Sequence, residues 1–223
     1  MSNKINLKLE RYNFFVFDCD GVLIDSNKLK SLSFAKTLQA YPKNLIEDFL
    51  EYNSLHGGVS RYIKFDYFFN KMLGMRDYKN ELNSALKRFS MISNHMINER
   101  AELIPGIIDF LSELSSKDKK TYVCSGSDQQ DLRKILANKG IDKFFNGIYG
   151  SPRTKSEILA NILTNEDNQD RGVFFGDALS DYEAATSFKM DFIFVSFNSD
   201  WFNGKKISQS HGFKTISSFK DIK

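Results

Sequence analysis

The chain has 223 residues, 41% of them hydrophobic and 26% charged, with a formal net charge of +3. That length can bury one large core, or one core and a smaller insertion. The scattered basic residues fit an ordinary surface better than a nucleic-acid-binding face. The two cysteines, Cys19 and Cys124, provide no disulfide framework and read as small buried residues. The N-terminal stretch "MSNKINLKLERYN" has no apolar signal segment, and the runs "FFVF" and "FIFV" are far too short to cross a bilayer. A cytoplasmic protein with no membrane partner is the expectation.

In chain order, residues 13–17 (NFFVF) read as a buried strand that runs directly into Asp18, Asp20 and Gly21. Asp25 and Ser26 then read as the cap of a helix. Residues 27–99 offer no convincing strand. They carry helical periods instead, through Leu45, Ile46, Phe49 and Leu50, then Ile63, Tyr67 and Phe68, then Leu82, Ala85, Leu86 and Phe89. The phenylalanines of this block and of the rest of the chain read as core filler. After Pro105-Gly106, helices are expected over 107–116, 129–139, 155–163 and 180–188, alternating with strands over 120–124, 147–149, 172–175 and 192–195. Such alternation predicts a doubly wound parallel sheet covered on both faces. The helical block after the first strand reads as an insertion, which divides the chain into a core of residues 1–26 and 100–223 and a helical domain of 27–99.

Ligands of an open parallel sheet bind beyond the carboxyl ends of its strands. Asp18 and Asp20 follow the first strand there, Ser125, Gly126 and Ser127 follow the second, and Asp177 and Asp181 follow a later one. Lys155 opens the helix after the weak strand 147–149. Crowded carboxylates call for a hard divalent cation, and Mg²⁺ commonly shares its shell with a phosphate. A Ser-Gly-Ser turn offers amides and hydroxyls to an anion, and Lys155 adds positive charge. Taken alone, "DCDG" is no more than a strand-end turn or a calcium-loop fragment, and Lys155 no more than a surface residue. Zinc is not expected, because His95 and His211 have no Cys or His at ligand spacing.

Together these residues resemble the haloacid dehalogenase-like hydrolases. "DCDGVLID" matches the family's first motif, "CSGS" the second, Lys155 the third and "GDALSD" the fourth. The resemblance implies a Rossmann-like core with the first strand central, a helical cap at the insertion, and an Mg²⁺-dependent phosphoric monoester hydrolase. It implies that Asp18 is the nucleophile that forms an aspartyl-phosphate and that Asp20 is the acid and base. Asp18, Asp20 (through its carbonyl), Asp177 and Asp181 become the metal residues, with Asp181 binding through water or orienting Lys155. Ser125, Gly126 and Lys155 grip the phosphoryl group.

The segment "HGGVSRYIKF" resembles the cap signature of the β-phosphoglucomutase and phosphoglycolate phosphatase branch, which makes His56, Gly58, Arg61 and Lys64 candidates for choosing the substrate. The histidine that the mutases carry some ten residues after the first motif is absent, since residues 27–34 read "NKLKSLSF". A phosphatase acting on a small phosphomonoester, a sugar phosphate first among them, is therefore expected ahead of a phosphomutase. A binding or regulatory protein that keeps the fold without turnover is a third reading.

Overall fold

Strand β1 (Phe14–Phe17) is buried along its whole length. It lies at the centre of a parallel sheet, between β2 (Lys120–Asp128) and β4 (Gly172–Gly176). The sheet continues outward through β3 (Gly147–Ser151) on one side, and through β5 (Asp191–Val195) and β6 (Lys214–Ile216) on the other. The strand order is β3-β2-β1-β4-β5-β6. The computed structural model describes residues 4–166 and 171–223. Among them no helix is long and apolar enough to cross a membrane.

The side-chain period of two explains why these strands are apolar throughout. Phe15, Phe17, Val173, Phe175, Ile193 and Val195 face one core layer, under helices α5 (Ile107–Ser116) and α6 (Gln129–Asn138). Phe14, Val16, Phe174, Phe192 and Phe194 face the other, under α7 (Lys155–Asn165) and α8 (Leu179–Ser187). A strand covered on both faces needs apolar residues at every position. The first core is built around Phe17 and Phe175, stacked with centroids 5.0 Å apart.

Between β1 and α5 lie α1 (Asn27–Thr37), α2 (Lys43–Leu55), α3 (Arg61–Tyr67) and α4 (Lys79–Arg100). They enclose a third core of Phe34, Leu38, Phe49, Phe65, Phe68, Phe69, Ala85 and Phe89. The aromatic content of 27–99 is thus the interior of the helical insertion. Among the strands and α-helices of the described residues, β6 and α9 (Gly204–His211) escaped the sequence pattern. A three-residue edge strand has too few positions to show alternation, and "GKKISQSH" has Ile207 as its single large apolar side chain.

Phe17→Ala should leave a cavity at the fully buried centre of the first core. Urea unfolding is expected to register a loss of about 3–5 kcal/mol. A loss under about 1 kcal/mol, the scale of an ordinary surface substitution, would contradict this placement.

Candidate active site

The chain leaves β1 at Asp18 and turns back through Gly21. This glycine has φ of 75°, and a Cβ here would collide with the side chains of Asp177 and Asn27. Only glycine combines that backbone conformation with that approach. The turn lets the residues after β1 lie against those after β4. β2 runs on past Cys124 with a register shift before Asp128, which turns Ser125, Gly126 and Ser127 toward the same edge. Asp18, Asp20, Ser125, Gly126 and Asp177 line one cavity of about 670 Å³.

Lys155 joins the site from below. The capping box of Thr154 and Glu157 starts α7, and the side chain of the next residue, Lys155, enters the core. Its Nζ donates to Asp18 Oδ2 at 3.0 Å and to Asp181 Oδ1. Burial opposes the charge on Lys155, but the two carboxylates outweigh it and raise its pKa above the usual lysine value. Asp18 Oδ1 accepts from the Cys19 amide at 2.7 Å. Asp181 Oδ2 accepts from the amides of Asp177 and Ala178 at 3.2 and 3.1 Å.

Asp18, Asp177 and Asp181 are buried, and each presents a carboxylate oxygen within 4.8 Å of the others. Burial, then Asp181 and Asp18, push the Asp177 carboxyl well up. Burial also raises Asp181; Lys155 offsets part of that and Asp18 adds to it. Lys155 and Lys30 face these three groups and Asp20, so the ionised set carries an excess of negative charge. An all-oxygen donor set with that excess suits a divalent cation.

The first turns of α1 also bring groups that the motifs did not mark. Asn27 Nδ2 donates to Asp177 Oδ2 at 2.7 Å. Lys30 Nζ donates to both Asp20 Oδ2 and Ser127 Oγ, and Ser127 Oγ donates to Asp20 Oδ2 at 2.7 Å. Ser26 stands at the start of α1, but its hydroxyl donates to Asp20 instead of capping the helix. Burial alone would raise the Asp20 carboxyl; the Lys30 charge and the hydrogen bonds from Lys30, Ser26 and Ser127 overcome it and hold it below the usual value. Lys30 lies ten residues after Asp20, near where the mutases carry their histidine. Asn27, Lys30 and Ser31 share one helical face by their spacing, and that face was the available signal.

The insertion settles on the core through its glycines and Arg61. A Cβ on Gly58 would meet Lys155 Nζ at 2.8 Å, and one on Gly126 would run into the Gly58 backbone. Gly58 therefore lies against Lys155, and Lys64 lines the same cavity. His56 is not: its ring packs on Tyr52, Nδ1 meets the Tyr52 carbonyl, and the residue is exposed outside the cavity lining. Arg61 reaches the cavity wall with its guanidinium paired to Asp131 at 2.7 Å and Asp128 at 3.4 Å. Asp131 also accepts from Ser90 Oγ at 2.9 Å and Asn94 Nδ2 at 2.8 Å. Arg61 thus ties the insertion to α6 while it lines the cavity. Cys19 and Cys124 are free and buried, and burial pushes both thiols up, which leaves them neutral.

Residues 15–195 match the family described as haloacid dehalogenase-like hydrolase, and the chain belongs to that family. No curated protein matches it in sequence. Its fold is shared with many solved structures, three of which follow. β-Phosphoglucomutase from Clostridium difficile is 18% identical, with 95% of this chain and 93% of that one covered and a TM-score of 0.71. CbbY from Rhodobacter sphaeroides, solved with phosphate, is 15% identical, with 93% and 95% covered and a TM-score of 0.73. A protein from Haemophilus somnus, described as a predicted phosphoglycolate phosphatase, is 18% identical, with 95% and 96% covered and a TM-score of 0.72.

Raised carboxyl pKa values mean that the folded, metal-free protein holds protons the unfolded chain has released. The share of stability that Asp177 and Asp181 contribute should therefore fall as pH rises above the ordinary carboxylate value. Asp177→Asn removes one of the repelling charges. Metal-free Asp177→Asn is expected to melt above wild type near neutral pH, with the gap narrowing in mild acid. A variant that melts lower at neutral pH, with no narrowing, would contradict the crowding.

Proposed function

We propose that this chain is a Mg²⁺-dependent phosphatase that hydrolyses a small phosphomonoester through an aspartyl-phosphate on Asp18. The observation that carries the reading is the placement of Lys155 Nζ between Asp18 and Asp181, beside the buried Asp177. A phosphoryl group there meets a nucleophile, an ammonium and the Ser125-Gly126 turn together.

On this reading Asp18 Oδ attacks phosphorus and the bond to the leaving oxygen breaks. Asp20 delivers a proton to that oxygen. A water molecule then attacks phosphorus, Asp20 takes its proton, and the acyl-phosphate bond opens to regenerate Asp18. Lys155, the Ser125 hydroxyl and the Gly126 amide balance the charge on the phosphoryl oxygens. Mg²⁺, held by Asp18, Asp177 and the Asp20 carbonyl, with Asp181 behind, would draw charge from the phosphoryl oxygens when bound. Lys30 favours the ionised form of Asp20, the form that accepts the proton from water. Proton delivery in the first step needs that contact loosened.

A sugar phosphate is the substrate class that the cavity suits. Its wall carries Ser31, Asn53, Ser93, Asn94 and Asn203, a polar lining that suits a hydroxylated leaving group. Helices α1 to α4 act as a cap over a core of 1–26 and 100–223.

Two outcomes test this. Asp18→Asn is nearly isosteric yet cannot serve as nucleophile, so phosphate release from p-nitrophenyl phosphate and a panel of sugar phosphates should disappear while the fold remains. EDTA should stop the wild-type reaction and Mg²⁺ restore it. Turnover in clean Asp18→Asn, or full activity after exhaustive metal removal, would reject the mechanism.

Lys30→Met takes away the charge that depresses Asp20. The limb of the kcat/KM profile that reports Asp20 should move to higher pH. An unmoved profile would separate Lys30 from the acid–base group.

A further inference from the structure

Lys64 lies one helical turn after Arg61 on α3 and is 5% exposed, yet it lines the cavity that Asp20 and Lys30 share. Its Nζ donates to Asn53 Oδ1 at 2.7 Å and to the Asn53 carbonyl at 3.4 Å. The Asn53 amide is itself oriented by a 3.1 Å bond from Nδ2 to Ser31 Oγ. The Phe34 ring lies 5.7 Å from the ammonium. An ammonium has three donors, and neutral groups satisfy two of them here.

What Lys64 lacks is a carboxylate. Ion pairs take up the other cations around the cavity: Lys30 on Asp20, Arg61 on Asp128 and Asp131, and Lys155 on Asp18 and Asp181. Among the described residues no ion pair is formed by Lys64; Asp20, and then Asp200, act on it only at longer range, and Lys30 and Lys155 oppose them. A buried charge without a partner is costly. Tying α3 to α2 through Asn53 requires only a neutral donor, so an ammonium is an expensive way to make that contact.

We propose that Lys64 receives a second anionic group, a carboxylate or a second phosphate, carried by the leaving group of the substrate. The proposal rests on the phosphomonoester reading of the site and narrows its substrate to a compound with two separated anions. Asn53 and Ser31 position the ammonium toward the cavity. Burial, and then Lys30, bring the Lys64 pKa down to about 7, and an anion placed beside Nζ would raise it again. Arg61 keeps an unpartnered Nε, but the two aspartates already balance its charge.

Binding without turnover tests this independently of hydrolysis. Calorimetry on Asp18→Asn with Mg²⁺ compares glycerol 2-phosphate with 2-phosphoglycerate, and glucose 1-phosphate with glucose 1,6-bisphosphate. The first pair differs by a carboxylate and the second by a phosphate. The doubly anionic member of one pair should bind tighter by roughly ten- to a hundredfold, the range for a hydrogen bond to a charged group. Asp18→Asn/Lys64→Met should lose that preference, bind the singly anionic member unchanged, and melt no lower than Asp18→Asn. Equal affinity within both pairs, an equal loss for both members, or no binding of any of the four would overturn the assignment. Failure of the hydrolysis reading shows separately, as wild-type protein that releases phosphate from nothing.

Discussion

The site depends on one buried ammonium. Lys155 stands between Asp18 and Asp181 where almost no water reaches, and without it the converging carboxylates would face each other uncompensated. The fold is arranged to make that meeting possible. Asp18 comes from the central strand, Asp177 and Asp181 from the end of β4 and the first turn of α8, and Lys155 from the first turn of α7. A parallel sheet with its first strand in the middle brings these ends to one edge, although Asp18 and Lys155 are 137 residues apart. The capping box that starts α7 satisfies amides with Thr154 and Glu157, which leaves Lys155 free to turn inward.

The helical insertion closes that edge with three kinds of contact. Glycines at 58 and 126 let two backbones approach where a side chain would collide. Arg61, Ser90 and Asn94 converge on Asp131, and burial there is outweighed by those hydrogen bonds and the guanidinium charge, so its carboxyl lies below the ordinary value. Lys30 crosses from α1 to Asp20 and Ser127. Buried, charge-assisted contacts of this kind fix geometry more than they add stability. They make the cavity a shared property of core and insertion. Under the proposed function, the core would handle phosphate and metal while the insertion reads the rest of the substrate.

The sequence made the core strands and the motif residues legible for a physical reason. Strands buried on both faces are uninterrupted apolar runs, and polar residues that follow such runs at the carboxyl edge have few structural explanations. The insertion was legible as helices and as an aromatic interior, but its docking was not. Asp131 sits in the first turn of α6, where an acidic residue is favoured by the helix dipole alone, so nothing in the sequence assigned it to Arg61. The sequence marked Arg61 for substrate and not for this ion pair, since charge pattern does not name a partner across 70 residues. His56 looked site-like beside two glycines, yet the turn sends its ring onto Tyr52. Lys30 was hidden because the family motif marks a histidine at that distance, although a lysine can reach the same carboxylate.

The central claim is that Asp18 carries the phosphoryl group. Rapid acid quenching of wild-type protein during turnover of p-nitrophenyl phosphate with Mg²⁺, followed by peptide mass spectrometry, reads this directly. The account requires the mass of one phosphoryl group on the peptide that contains Asp18, present in the early time points and gone when substrate is exhausted. Phosphate released over the same interval with no phosphoryl group on Asp18, or with that group on another residue, would contradict it.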